Sequence, residues 1–227
     1  FLERSHVSIL NDNLLIVGFS QGAAVAVASL RLLEEEHPEV SIKRCYAGSG
    51  PYDVCATYDD AVRRNRLGMA VVVPLLVMGT SEAYDLHLRP EDFFTPYLLE
   101  RYKPIVYDKR YGLVRLAFTM PSRKLSKYMT NEGMDKLQPE TARMYEGFKR
   151  SSIVCVTETD TIYPDWTPRA PITLFHSTND DIVCFDCALH MSAFLGTRGA
   201  NFVTHFGRYG GHLASLLRYM HFLEEEL

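Results

Sequence analysis

The stretch Leu14-Leu15-Ile16-Val17-Gly18-Phe19-Ser20-Gln21-Gly22-Ala23-Ala24 limits what this chain can fold into more than any other. An apolar run of strand length meets a G-x-S-x-G turn and passes, with no polar spacer, into a small-residue helix that continues toward Leu33. A serine at so tight a strand-to-helix turn is forced into strained backbone angles that lift its hydroxyl clear of the chain, the nucleophile-elbow pattern. The turn is expected to leave no room for a side chain two residues before or after the serine, which would account for Gly18 and Gly22. The first N–H groups of the helix, that of Gln21 among them, point to where an oxyanion would form, so one motif supplies both nucleophile and donor.

At 227 residues the chain suits one α/β domain with room for a sub-domain. It is 47% hydrophobic and 23% charged, the composition of a globular protein. A net charge of -4 without a basic stripe gives no footprint for nucleic acid. The longest apolar run, 69–78, is too short to cross a bilayer and contains Pro74, so it predicts a buried helix and no stable membrane span. Cys45, Cys55, Cys155, Cys184 and Cys187 are odd in number and lack a disulfide-framework spacing, so at least one is unpaired within the chain. Cys184-x-x-Cys187-x-x-His190 invites a metal or redox reading. A structural zinc needs four ligands and no second pair is in evidence, so the cysteines read as a helix-start dithiol or core residues and no metal is expected.

The helix after Ser20 is expected to end at Pro38, and a second strand follows at 42–47. From residue 51 to about 170 the regular alternation stops, and helical patterns occupy 67–78, 95–102, 122–129 and 139–149. Strand and helix resume at 171–176 and 186–195, followed by a strand at 201–206, a glycine-rich loop at 207–212 and a closing amphipathic helix. An insertion between two strands of a parallel sheet belongs at their carboxyl ends, over a site. The expected organisation is a first core segment at 1–83, a helical cap insertion at 84–164 and a second core segment at 165–227.

A serine is a poor nucleophile without a base to take its proton, and the base needs an acid to fix its tautomer. Asp180 stands in the loop just past the 172–175 strand, with Asp181 as its rival and Asp53, after the second strand, a more remote option. His212 follows Gly210 and Gly211 after the last strand, and the interval from Asp180 accommodates one helix and one strand. His205, inside the last strand, is the competing base, while His176 is expected to hydrogen-bond locally.

With these residues the chain resembles the α/β-hydrolase superfamily: Gly18-Phe19-Ser20-Gln21-Gly22 as elbow, His176-Ser177-x-x-Asp180-x-x-Val183 as acid loop and Gly211-His212 as base loop. The resemblance covers roughly 12–50 and 170–227, and the place of the insertion is similar to that in capped secretory lipases and esterases. Ala23 stands where a second glycine is usual, Ser177 replaces a glycine and Cys184 a proline.

The resemblance implies an α/β fold with the C-terminal portion of a parallel-sheet hydrolase core. It also implies a serine hydrolase that cleaves small-molecule carboxylic esters through an acyl-enzyme, without a cofactor, in a secreted or periplasmic setting. Two alternatives stand beside it. A prolyl-peptidase type needs a site for the substrate amino terminus, and Glu34 to Glu36 read better as a solvated helix end. A non-catalytic binding protein of the same fold is opposed by the intact Ser20, Asp180 and His212. The aromatic stretch Phe93, Phe94, Tyr97, Leu98 and Tyr102 is expected either to pack the cap to itself or to line an acyl pocket, with Phe94 and Tyr97 as substrate contacts. In the fold it resembles, the elbow strand sits mid-sheet and a second oxyanion donor comes from a loop after an earlier strand. Only thirteen residues precede Leu14, so the missing N-terminal portion of a longer protein is the expected partner of a bare edge at 14–17.

Overall fold

The alternation of apolar runs and helices resolves, in a computed structural model, into a four-stranded parallel sheet of β1 (Leu14–Phe19), β2 (Ile42–Gly48), β3 (Ile172–Ser177) and β4 (Phe202–Gly207), in that spatial order. The residues described are 14–101, 103–106, 110–112, 115–116, 120 and 122–227. The chain divides into two compact units, Phe1–Tyr52 with Ile162–Leu227, and Asp53–Thr161. The second unit begins at Asp53, ahead of the Tyr84 expected for the insertion, so the helices Val54–Arg63 and Val72–Ala83 belong with it.

In the first unit, β3 runs between β2 and β4 and is buried along its whole length, which is why it reads as an apolar run rather than an alternation. Helix α1 (Gln21–Glu36) buries Ala23, Ala26, Val27 and Leu30 and packs on β1 and β2, where small residues let it lie close. The last helix, His212–Glu226, sets Tyr219 and Phe222 against Phe19, Tyr46 and Phe175, and the Tyr219 hydroxyl donates to the Tyr46 carbonyl at 2.9 Å. Among the described residues β1 pairs with β2 alone.

Glu34 departs from its expected role as a solvated helix end. Its carboxylate accepts from Trp166 Nε1 at 2.9 Å, Arg169 N at 3.0 Å and Ala170 N at 2.8 Å, tying the end of α1 to the chain that leads into β3. Its neighbours Glu35 and Glu36 are exposed, as expected of a solvated helix end, and Glu35 pairs with Arg31 one turn away.

In the second unit, Asp53 caps the helix Val54–Arg63 by accepting from Ala56 N at 2.9 Å. Pro74 lies in the first turn of the helix Val72–Ala83, where its missing N–H costs nothing, and this delays the helix expected from residue 67. The helix expected at 122–129 is only a 3₁₀ turn, Leu125–Lys127. Isolated bridges Arg66–Lys124 and Phe94–Met129, with Ser126 N donating to Asn65 Oδ1 at 2.8 Å, engage the backbone that a helix would need.

The aromatic stretch divides. Phe93, Phe94 and Leu98 are closed into this unit's core with Leu125, Tyr128, Met129 and Phe148, and Phe94 is only 1% exposed. Tyr97 is half-buried, stacked on Tyr128 with the Lys127 ammonium 4.8 Å from its centroid. Tyr102 lies outside the described residues. Phe94→Ala should lower the unfolding free energy by about 3–5 kcal/mol in urea titration, and a loss below about 1 kcal/mol would contradict this packing.

Candidate active site

Ser20 sits between β1 and α1 with φ 57° and ψ -129°, a left-handed conformation that costs a non-glycine residue on the order of 1–3 kcal/mol. The turn is held by Ser20 N donating to the Gly48 carbonyl at 2.8 Å and Ala23 N to the Ser20 carbonyl at 2.9 Å. A Cβ on Gly18 would come within 2.0 Å of the Gly22 carbonyl oxygen, so the strand can meet the helix only through a glycine there. The expectation of equal crowding at Gly22 is corrected: a Cβ there would enter open space, because what crowds the turn is the Gly22 carbonyl and not its Cα. Among the described residues nothing lies within 4 Å of that Cβ, so none of them requires glycine at position 22. Gln21 is the first residue of α1, so its N–H is among those a helix leaves without an intrahelical acceptor.

The acid loop leaves the carboxyl end of β3. Asp180 is buried, and its Oδ1 accepts from the backbone N–H groups of Ile182 at 2.9 Å and Val183 at 3.0 Å. That leaves Oδ2 for His212, whose Nδ1–H donates to it at 2.7 Å. Ser20 Oγ in turn donates to His212 Nε2 at 2.8 Å. The imidazole lies against Phe19, with ring centroids 5.1 Å apart. Ser20, His212 and Asp180 are thus in one hydrogen-bonded line within the first unit. His212 opens the last helix rather than ending the preceding loop.

The rival residues have other partners. Asp181 accepts from the His212 backbone N–H at 3.0 Å, not from its ring. His205 packs on Phe222 with centroids 4.4 Å apart. Asp53 belongs to the second unit, where its second oxygen accepts from Val156 N at 2.8 Å. His176 is fully buried and donates from Nε2 to the Val183 carbonyl at 3.2 Å, the local bond expected of it. Burial pulls its pKa below the ordinary histidine value, so the ring beneath the acid is neutral. Ser177 was legible only as a departure from a family glycine. Its hydroxyl donates to the Gly210 carbonyl at 2.6 Å and accepts from Tyr209 N at 3.1 Å, joining the acid and base loops.

Cys184 and Cys187 are buried with their sulfurs 3.8 Å apart. The one metal-like grouping among the described residues is Asp53, Cys55 and Cys155, whose donor atoms lie within 4.8 Å of one another. Burial holds both thiols above their ordinary pKa, and three donors fall short of the four a structural zinc takes.

A parallel sheet with a strained serine between strand and helix, followed in chain order by an acid and a histidine at the ends of later strands, defines the α/β-hydrolase fold, and this chain has that fold. Among solved structures it is similar to the rice cell wall degrading esterase LipA from Xanthomonas oryzae, at 17% identity and a TM-score of 0.69, covering 96% of this chain and 57% of that one. It is similar to Candida antarctica lipase A in its closed state at 19% identity and a TM-score of 0.69, covering 96% and 49%. A structure from Legionella pneumophila aligns at 16% identity and a TM-score of 0.73, covering 99% and 58%. The chain therefore spans about half the length of these neighbours. No family model and no curated protein matches it.

The elbow geometry makes the two glycines unequal. Gly18→Ala should destabilise the protein by about 1–3 kcal/mol or more. Gly22→Ala, in the first turn of a helix, should leave thermal stability unchanged or raise it by up to about 1 kcal/mol. Equal losses for the two variants would contradict this account of the turn.

Proposed function

We propose that this chain is a serine hydrolase that cleaves carboxylic esters through an acyl-enzyme. The observation that carries the reading is the unbroken line from Ser20 Oγ through both nitrogens of His212 to a buried Asp180 whose other oxygen is fixed by two backbone amides. In this reading Ser20 Oγ attacks the ester carbonyl while His212 Nε2 takes its proton, and Asp180 stabilises the resulting imidazolium. The N–H of Gln21, at the positive end of α1, donates to the oxyanion. His212 then protonates the departing alcohol, and a water activated by the same imidazole releases the acid. These steps use side chains, backbone and water, and call on no cofactor.

The esterase and lipase descriptions of LipA and of lipase A support an ester over other acyl substrates. The peptidase alternative is weakened because Glu34, the first of the Glu34 to Glu36 run that could be considered for a substrate amino terminus, has its carboxylate engaged by Trp166, Arg169 and Ala170. We further read the part of the second unit from residue 84 onward as a cap carrying acyl-chain selectivity, with the half-buried Tyr97 a better candidate for a substrate contact than the enclosed Phe94.

With an activated acyl ester, Ser20→Ala and His212→Ala should each lower kcat by about four to six orders of magnitude, with the double variant hardly worse, because the two act as a unit. Asp180→Asn should cost about four orders of magnitude by favouring the wrong tautomer. Near-full activity in Ser20→Ala would overturn the reading. A large loss at Asp181 with none at Asp180 would reassign the acid.

A further inference from the structure

His212 can serve Ser20 only if its ring is fixed in direction and its Cα is fixed in place. Asp180 does the first, at Nδ1. The second is a problem for the chain, because His212 is the first residue of its helix and its N–H is one of the donors a helix leaves unpaired. The capping position is Gly211, which has no side chain to supply an acceptor. The acceptor comes instead from the acid loop, where Asp181 Oδ1 takes the His212 N–H at 3.0 Å. A carboxylate at a helix N-terminus is favoured by the helix dipole, and a hydrogen bond to an ionised acceptor is stronger than one between neutral groups.

A second observation points the same way. A Cβ built on Gly211 would lie 2.7 Å from Asp181 Oδ1 and 3.2 Å from its Cγ. The carboxylate fills the space that a capping side chain at 211 would occupy, and glycine there is what lets the two loops close. Ser177, donating to the Gly210 carbonyl, and Asn179, whose Oδ1 accepts from Gly210 N at 3.2 Å, hold the residue before it to the same loop. The acid loop therefore grips the base at both its ring and its backbone.

We infer that Asp181 is a positioning residue for the base: with Asp180 it forms a two-point clamp that sets the His212 imidazole against Ser20, and Gly211 is glycine to admit it. As a statement about catalysis this rests on the serine-hydrolase reading above, while the clamp itself can be observed without turnover.

Four variants test it, each assayed on an activated acyl ester and by the downfield NMR resonance of the proton shared between His212 Nδ1 and Asp180. Asp181→Ala should lower kcat by about 10- to 100-fold, the scale of a misplacement near 1 Å, with KM within about threefold, and should shift or broaden that resonance. Asp181→Asn, whose amide oxygen can accept the same N–H, should recover most of the rate and the native resonance. Gly211→Ala should be harmful alone yet add nothing to Asp181→Ala, since the group it strikes is gone. Unchanged kcat and resonance in Asp181→Ala, an Asp181→Asn as impaired as the alanine, or additive losses with Gly211→Ala would each overturn the clamp. If the wild-type chain hydrolyses no ester, the functional reading fails, while the resonance in Asp181→Ala and Asp181→Asn still decides the clamp. If Asp181→Ala does not fold, Asp181→Asn with a native resonance and rate upholds it, and Asp181→Asn with neither overturns it.

Discussion

The positive φ of Ser20 is the constraint on which the rest of this structure depends. It can exist only where neighbouring contacts over-determine the backbone. Here β2 supplies one, through the Gly48 carbonyl, and α1 supplies another, by turning back at once so that its carbonyl at 22 sits against the bare Cα of Gly18. The small residues of α1 follow from the same demand, since a helix that starts at the end of a strand with no linker must lie close along the sheet. Holding the serine proud in this way also aims the N-terminus of α1 at the space beside its hydroxyl.

Two later loops complete what the elbow begins, and they are fastened to each other as well as to Ser20. Thr178 N donates to the Gly207 carbonyl, Ser177 bridges Tyr209 and Gly210, and Asp180 and Asp181 reach the ring and backbone of His212. Beneath them His176 is sealed from water and neutral, with Nδ1 lacking a partner among the described residues. A protonated ring there would place a buried charge 3.9 Å from the Asp180 oxygen that accepts from His212, and burial disfavours that charge.

Much of the first unit was legible in the sequence, because its strands are apolar runs bounded by turn residues and its helices carry periodic stripes. All four sheet strands fall within two residues of their expected limits, and Ser20, Asp180 and His212 meet as their chain order suggested. What sequence did not reveal depends on contacts distant along the chain. Glu34 looks like one of three solvated acids until Trp166 and Ala170 arrive from the approach to β3. The stretch 122–129 has helical spacing, but bridges to Arg66 and Phe94 override it. The helix Val54–Arg63 was missed although its signal, a capping Asp53 ahead of an amphipathic run, was present. Gly22 misled in the opposite sense, since a motif glycine suggested a steric need that only Gly18 has.

The central claim is that Ser20 is an activated nucleophile and not merely a strained serine. Intact-mass and peptide mapping after treatment with a fluorophosphonate tests it most directly, because the reagent captures a serine only when a base has made it reactive. The account predicts a single adduct on the peptide that carries Ser20, absent from Ser20→Ala and formed far more slowly in His212→Ala. A folded protein that takes up no adduct, or takes it up at another residue while Ser20 stays unmodified, would contradict it.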